Sequence, residues 1–442
     1  MKRSVLSKAF AALAVFVVAA LPLVAAGAPK PGRRRLCARR GWGLNSYCSA
    51  PQVIALVEDA NTVRFMTTCR QTSGTPEPRK ICAMARALGW RTRLAVAAGI
   101  AATLVLGPGL ANIPTSEAAT GKVNTAWLPY WDMSDAYNAV IRNADLFSTA
   151  SPFWYVAGSC TSITGHTGAG NTYIINGLHA RGIKVVPTIT SAMSPAAAIA
   201  CFGNATSRKA HVARVVNVAK SRAYDGIDFN YEQLALTTSP ATAVKVRAAY
   251  SAFIKDVCAG LRAARKQCVV TVMPRTDDSY SVWRSKLIPG VYDYAVLGAA
   301  ATKLRVMAYD QHAPNTTAGP IGGYPWTVAV AKYTRSKVSP GKVEMGTPLY
   351  GRNWASGTAT TVSAPQAAAL AARYGAWVRY DATQKAPWFT YVASGVRHTV
   401  WYSNSTSVRD RYRLARAYGF SGVALWAPGQ QDSATWRVLR AG

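Results

Sequence analysis

Between Lys122 and the C-terminus, eight short apolar runs of β type alternate with longer Ala-rich stretches of helical period. The runs are "TAWLPYW" (125–131), "ASPFWYV" (150–156), "KVVPTIT" (184–190), "GIDFNYE" (226–232), "CVVTVMP" (268–274), "LRVMAYD" (304–310), "VEMGTPLYG" (343–351) and "SGVALWAPG" (421–429). Between them lie helical patterns such as "AAAIACF" (196–202), "HVARVVNVAKSRA" (211–223), "AAYSAFIKDVCAGLRAARK" (248–266) and "SVRDRYRLARAYG" (407–419). Strand–helix alternation makes parallel strands with helical crossovers. Eight repeats in about 320 residues predict a closed α/β structure, the (β/α)8 TIM barrel, rather than an open sheet. No Gly-rich phosphate loop follows the first run, which argues against a dinucleotide-binding fold.

The spacing breaks once. About 70 residues separate the seventh and eighth runs, enough for a small α+β insertion, placed at about 355–403. Within it "AWVRYDA" (376–382), "PWFTYVA" (387–393) and "RHTVWYS" (397–403) read as antiparallel strands, two at hairpin spacing. On the top of a barrel, such an insertion would wall one side of a groove.

The fourth run carries the chemistry. In "DGIDFNYE", Ile227, Phe229 and Tyr231 alternate with Asp228, Asn230 and Glu232, so that on a strand one face is apolar and the other polar. The apolar face suits the helices outside the barrel. The other would send polar groups inward, where uncompensated charge is costly. Asp225 precedes the run and Gly226 eases its approach. A purely structural carboxylate network explains this poorly, because nothing in folding calls for three inward polar side chains. Glu232 falls at the C-terminal end of the strand, the catalytic face of such barrels. Crowding by acids and apolar walls would keep it protonated as a general acid.

These residues resemble family 18 glycoside hydrolases, the chitinase-like barrels. The family pattern D-x-x-D-x-D-x-E falls on Asp225, Asp228, Asn230 and Glu232. "MAYD" (307–310) resembles the family's Met-x-Tyr-Asp, "GTPLYGRNW" (346–354) its Gly-x-Pro-x-Tyr-Gly-Arg, and Trp426 stands where a tryptophan floors the sugar site. The motifs follow in the right order and cover about 122–442. The C-terminal stretch looks closest to the branch of spore-cortex and cell-wall N-acetylglucosaminidases.

The resemblance implies a secreted hydrolase of N-acetylglucosamine-containing glycans, chitin or peptidoglycan, with substrate-assisted retaining catalysis and no cofactor or metal. Glu232 would protonate the glycosidic oxygen while the substrate's own 2-acetamido carbonyl attacks the anomeric carbon to give an oxazolinium ion. Asp228, Asn230 and Tyr309 would support that step. Asp225, Met307, Asp310 and Arg352 would line the substrate site, with Trp426 stacking beneath a sugar. The departure is Asn230: its amide oxygen still accepts from the acetamido N–H but lacks the charge that stabilises the cation. Loss of an acid neighbour would also lower the Glu232 pKa, so a reduced rate is expected. A carbohydrate-binding protein with a dead site is the alternative. Weaker candidates are Tyr130, Trp131 and Trp154 as sugar platforms, His312 in a top loop, and Arg275 and Asp277 after the fifth strand.

Composition narrows the partners. The 442 residues hold 51 Lys+Arg against 19 Asp+Glu, net +32. Residues 1–118 carry 16 basic and 4 acidic side chains, leaving 35 and 15 for the remainder, still about +20. Such a surface attracts polyanions, including anionic cell-wall polymers. Neither zinc-finger spacing nor an RNA-binding aromatic signature is present, so nucleic acid is not expected. A monomer is expected. Of the eight cysteines, Cys37, Cys48, Cys69 and Cys82 precede the barrel; Cys160, Cys201, Cys258 and Cys268 lie within it. None forms a CxxC pair, which argues against zinc. An export signal favours disulfides in the second set, paired Cys258–Cys268 and Cys160–Cys201.

Two segments have the form of export signals. Met1-Lys2-Arg3 opens one, with an apolar run from Ala9 to about Ala26; Met84 opens another, with Arg86, Arg91 and Arg93, an apolar core from Leu94 to Leu106, and Ser116-Glu117-Ala118. Either Met84 is the physiological start and 1–83 an over-extended translation, or one apolar segment stays as a membrane anchor. The second reading needs about 20 residues and finds 13 before Gly107-Pro108; the first is favoured. N-terminal sequencing of the exported protein should then begin near Ala119. Recovery of peptides from 30–80 in the native host would sink this reading.

Overall fold

The computed structural model describes residues 124–283 and 286–442, together with two strands nearer the N-terminus. Those strands, Gln52–Asp59 and Thr62–Thr68, pair antiparallel in a region where the sequence offered no element. Apart from them, the expected export region 1–118, with Cys37, Cys48, Cys69, Cys82 and both apolar segments, lies outside the described residues. No helix among the described residues is long and apolar enough to cross a membrane.

All eight apolar runs contribute strands to one barrel: β1 Asn124–Leu128, β2 Phe147–Ala157, β3 Thr188–Ser191, β4 Gly226–Asn230, β5 Gln267–Val272, β6 Lys303–Val306, β7 Val343–Pro348 and β8 Gly422–Trp426. Each pairs in parallel with its neighbours, and β8 pairs with β1 as β1 pairs with β2, which closes the ring. The crossovers contain helices, among them Pro195–Gly203, Ala205–Lys220, Pro240–Ala263 and Ser405–Ala417, where the Ala-rich patterns predicted them. Their N-termini are closed by local chemistry: Ser194, Asn204, Ser239 and Asn404 each accept a backbone N–H from the first turn. Outward-facing Phe229 packs edge-on to Phe253 of the long helix at 5.7 Å. Gly226 is required where β4 enters the sheet, since a Cβ there would lie 2.4 Å from the Gln267 carbonyl oxygen.

The insertion is larger than the sequence reading placed it. It starts at Tyr350, not about 355, and holds five antiparallel strands, Tyr350–Ala355, Thr358–Ser363, Arg379–Asp381, Ala386–Ala393 and Val396–Tyr402, with helix Ala364–Arg373. The run 343–351 therefore splits: β7 ends at Pro348, paired with Trp426, and Tyr350 already pairs with Ser363. One sheet face packs Phe389, Tyr391 and Val400 on Ala367 and Ala371 of the helix. Both expected disulfides are present, Cys160–Cys201 and Cys258–Cys268, with Cα separations of 5.5 and 5.2 Å. By loop-closure entropy they stabilise the fold by about 4 and about 3 kcal/mol.

The barrel interior is polar at its centre. Arg305 of β6 is fully buried, with Nε 2.5 Å from Glu344 Oε2 of β7, Nη1 3.2 Å from Asp228 Oδ2 of β4 and 2.6 Å from Ser151 Oγ of β2. Thr125 donates to Glu344 Oε1 at 3.1 Å. One guanidinium thus joins four strands, and removing it would leave two buried carboxylates without a counter-ion. Arg305→Met should destabilise the protein by about 3–5 kcal/mol in chemical denaturation. A loss below about 1 kcal/mol would show that this network contributes little.

Candidate active site

The two polar residues of β4 that point inward differ in what holds them. Asp228 is fully enclosed. Its Oδ2 accepts from Trp127 Nε1 at 2.9 Å and Thr188 Oγ1 at 2.8 Å, and its Oδ1 from Thr271 Oγ1 at 2.7 Å. With Arg305 alongside, Asp228 is fixed in position from four other strands. Asn230, one step nearer the C-terminal mouth, donates from Nδ2 to Glu232 Oε1 at 2.9 Å. Its Oδ1 is buried with no hydrogen-bond partner among the described residues. An unpaired buried amide oxygen beside a carboxyl group is an acceptor in want of an N–H donor.

Glu232 stands just past β4, capping the short 3₁₀ turn Gln233–Ala235. The preceding residue holds it there. The Tyr231 carbonyl accepts from Tyr292 Oη at 2.9 Å, and the Tyr231 hydroxyl meets His211 Nε2 at 3.1 Å. His211 Nδ1 lies 2.8 Å from the Cys160 carbonyl, which can only accept, so Nδ1 carries the proton and Nε2 accepts from Tyr231. Burial lowers the His211 pKa, in keeping with this neutral ring.

Across the barrel mouth, Tyr309 and Met307 follow β6, both buried. Burial first, then the charges of Glu232, Asp310 and Asp228, pushes the Tyr309 hydroxyl well above its ordinary range, so it remains a donor. Gly346 of β7 makes room for that ring: a Cβ there would come within 2.9 Å of it. Asp310, at φ 57°, accepts from Tyr350 Oη and from Arg352 Nη2, the latter at 2.7 Å. Trp127 stands edge-on between Tyr309 (6.4 Å) and Trp426 (5.9 Å). Trp426, partly exposed at the end of β8, also meets Phe153 at 4.9 Å and the exposed Trp131 at 6.2 Å. Tyr130 is exposed beside Trp131 and stacks on His166 at 4.1 Å.

The structure therefore gathers Asp228, Asn230, Glu232, Tyr309, Asp310, Arg352 and Trp426 at the barrel mouth, and leaves others elsewhere. Asp225 is a correction. It precedes β4 at the opposite end of the barrel, where its Oδ2 accepts the Val185 N–H at 2.7 Å and faces His179 Nε2 at 2.8 Å. Trp154 is a second correction: it is fully buried against Tyr224, because β2 turns Ser151 and Phe153 to the inside and so sends Trp154 to the opposite face. Arg275 is turned inward, with Nη1 donating to the Tyr292 carbonyl at 2.8 Å and its guanidinium 5.2 Å over Tyr333. Asp277 accepts the Ser279 N–H in its own turn. His312 Nδ1 faces the Thr317 carbonyl within its loop. Sequence reasoning passed over Trp127, Phe153, Arg305 and Glu344. The period-two parity of β1, β2, β6 and β7 would have turned each of them inward.

Comparison with known proteins agrees with this geometry. The family model for glycosyl hydrolases family 18 matches residues 153–431. An uncharacterized glycosylase, YvbX, of Bacillus subtilis (strain 168) is 28% identical over 246 residues, 54% of this chain and 68% of that protein. The cortical fragment-lytic enzyme of Bacillus anthracis is also 28% identical over 246 residues, but the chain spans only 54% of its length. Among solved structures, a chitinase from Chromobacterium violaceum ATCC 12472 superposes with a TM-score of 0.65 at 28% identity, over 72% of this chain and 98% of that one. With the matched region spanning well over half of its length and four motif strands in place, the chain belongs to the glycosyl hydrolases of family 18.

Proposed function

We propose that the protein is an exported glycosidase that cleaves β-1,4 bonds in N-acetylglucosamine-containing glycans, with peptidoglycan favoured over chitin. The observation that carries the reading is the pair at the end of β4. Asn230 holds Glu232 through its Nδ2 and keeps its Oδ1 free of protein partners among the described residues. Glu232 is the general acid. The Asn230 oxygen accepts the acetamido N–H of the substrate and turns its carbonyl toward the anomeric carbon. Attack by that carbonyl breaks the glycosidic bond as Glu232 delivers its proton to the leaving oxygen; water then opens the oxazolinium ion with retention. Tyr309 donates to the acetamido oxygen, and Trp426 supports the sugar ring.

An amide at position 230 brings no negative charge to the forming cation. Asp228, two residues deeper on the same strand, supplies part of that field, and its four donors keep it from turning outward to replace Asn230. The expected result is catalysis of reduced rate. The basic surface, about +20 beyond residue 118, favours a wall rich in anionic groups. The name of the Bacillus anthracis relative, a cortical fragment-lytic enzyme, points the same way.

Release of reducing ends from peptidoglycan and from chitin oligomers tests the reading. A protein that retains both glycans and cleaves neither would be a binding module instead. Glu232→Gln should abolish hydrolysis while glycan binding through Trp426 persists; residual turnover above a few per cent would assign the proton donor elsewhere. Asn230→Asp should raise the rate by about tenfold, roughly 1.4 kcal/mol of barrier. It should also move the alkaline limb of the pH–rate profile upward, because a second carboxylate makes Glu232 harder to deprotonate. A slower Asn230→Asp variant would show that the site is built around the amide.

A further inference from the structure

Six of the twelve large apolar side chains exposed among the described residues lie in the insertion: Tyr374, Trp377, Val378, Tyr380, Val392 and Val396. Trp377 is the most open of all, 81% exposed. It sits in "RYGAWVRY" (373–380), where three aromatics and two arginines occur in eight residues. The backbone there is fixed. Gly375, at φ 58°, ends the helix Ala364–Arg373, and the Ala376 N–H returns to the Ala371 carbonyl at 2.8 Å. Trp377 is thus presented from an ordered turn immediately before an edge strand.

The same region is strongly basic. Residues 350–403 hold Arg352, Arg373, Arg379, Lys385 and Arg397 against Asp381 alone. Arg352 and Lys385 are engaged with Asp310 and Asp410; Arg373, Arg379 and Arg397 make no ion pair among the described residues. The rim is also continuous with the groove. Arg379 pairs across the sheet with Trp388, Trp388 with Trp401, and Trp401 with Arg352, whose Nη2 holds Asp310 at the barrel mouth. The two indoles stack at 5.5 Å and Arg379 lies 5.2 Å over Trp388. Three strand spacings separate Arg379 from Arg352, roughly 14 Å, a reach of a few sugar units.

We propose that this rim, centred on Trp377 and Arg379, binds a carboxylate-bearing glycan strand of the peptidoglycan type outside the catalytic site. Exposed aromatic faces take sugar rings, and unpaired guanidinium groups take the lactyl and peptide carboxylates of muramyl units. This surface deepens the peptidoglycan reading above and rests on it for the choice of glycan. It explains why apolar exposure and unpaired positive charge coincide on the one element that the barrel fold does not itself need.

The test is co-sedimentation of the full-length protein, in the cold, with peptidoglycan stripped of other anionic polymers, with the same material carboxyl-blocked, and with chitin. Hydrolysis of short soluble N-acetylglucosamine oligomers and the thermal midpoint are followed in parallel. Trp377→Ala should weaken retention on peptidoglycan and chitin by about tenfold. Arg379→Ala should weaken it on peptidoglycan alone, and carboxyl blocking or added salt should copy that effect. Both variants should match wild type in thermal midpoint and in oligomer turnover. Retention unchanged in both variants would overturn the proposal, as would retention only on walls that keep their other anionic polymers. Absence of oligomer hydrolysis in the wild type, with retention still sensitive to Trp377 and Arg379, would sink the catalytic reading and leave this surface standing.

Discussion

A buried guanidinium with two carboxylates sets the geometry on which the rest depends. Arg305 meets Glu344 and Asp228 within the barrel, and Ser151 completes its contacts across four strands. Each charge is tolerable inside only because the others are there, so the strands must close in one register for any of them to be satisfied. Asp228 thereby becomes a fixed point. Asn230, two residues on, inherits its direction toward the mouth, and Glu232 follows at the lip.

Around that axis, the outer layers act on the same few atoms. The disulfide Cys160–Cys201 ties down the segment whose carbonyl orients His211; His211 then holds Tyr231, and Tyr292 holds the Tyr231 backbone. Glu232 is therefore positioned by its backbone from the helical side and by Asn230 from the barrel side. On the opposite wall, Asp310 is held by two side chains of the insertion's first strand, Tyr350 and Arg352. The insertion is thus part of the groove through its first strand, and its distal rim remains exposed and basic.

Substituting an amide for the expected third acid changes the electrostatics without disturbing the fold. In this barrel the amide nitrogen finds Glu232, and the oxygen finds no protein donor among the described residues. A carboxylate at 230 would face Glu232 directly and would need to share a proton with it. The amide avoids that repulsion, and the fixed negative charge near the site is left to Asp228 and Asp310, which are already committed to Arg305 and Arg352.

Much of this was legible in the chain. Eight apolar runs at barrel spacing determined the (β/α)8 closure, because parallel strands joined by helices have few other ways to bury both faces. Strand parity in "DGIDFNYE" turned Asp228 and Asn230 inward and placed Glu232 at the catalytic end. The short loop between Cys258 and Cys268 pointed to one of the two disulfides found, and Cys160–Cys201 was the pair that remained. Other features depended on contacts between distant segments. Asp225 belongs to the same octapeptide, yet the strand's length carries it to the far end of the barrel. Trp154 and Phe153 are neighbours on opposite faces of β2, and the inward contact of Ser151 with Arg305 shows which of them reaches the groove. Arg305 and Glu344 have inward parity on their strands, yet only closure of the ring brings their charges together with Asp228 so that they can be buried. The exposure of Trp377 was equally hidden, since apolar composition does not say whether a side chain will be covered; that is settled by what packs against the edge of the insertion sheet.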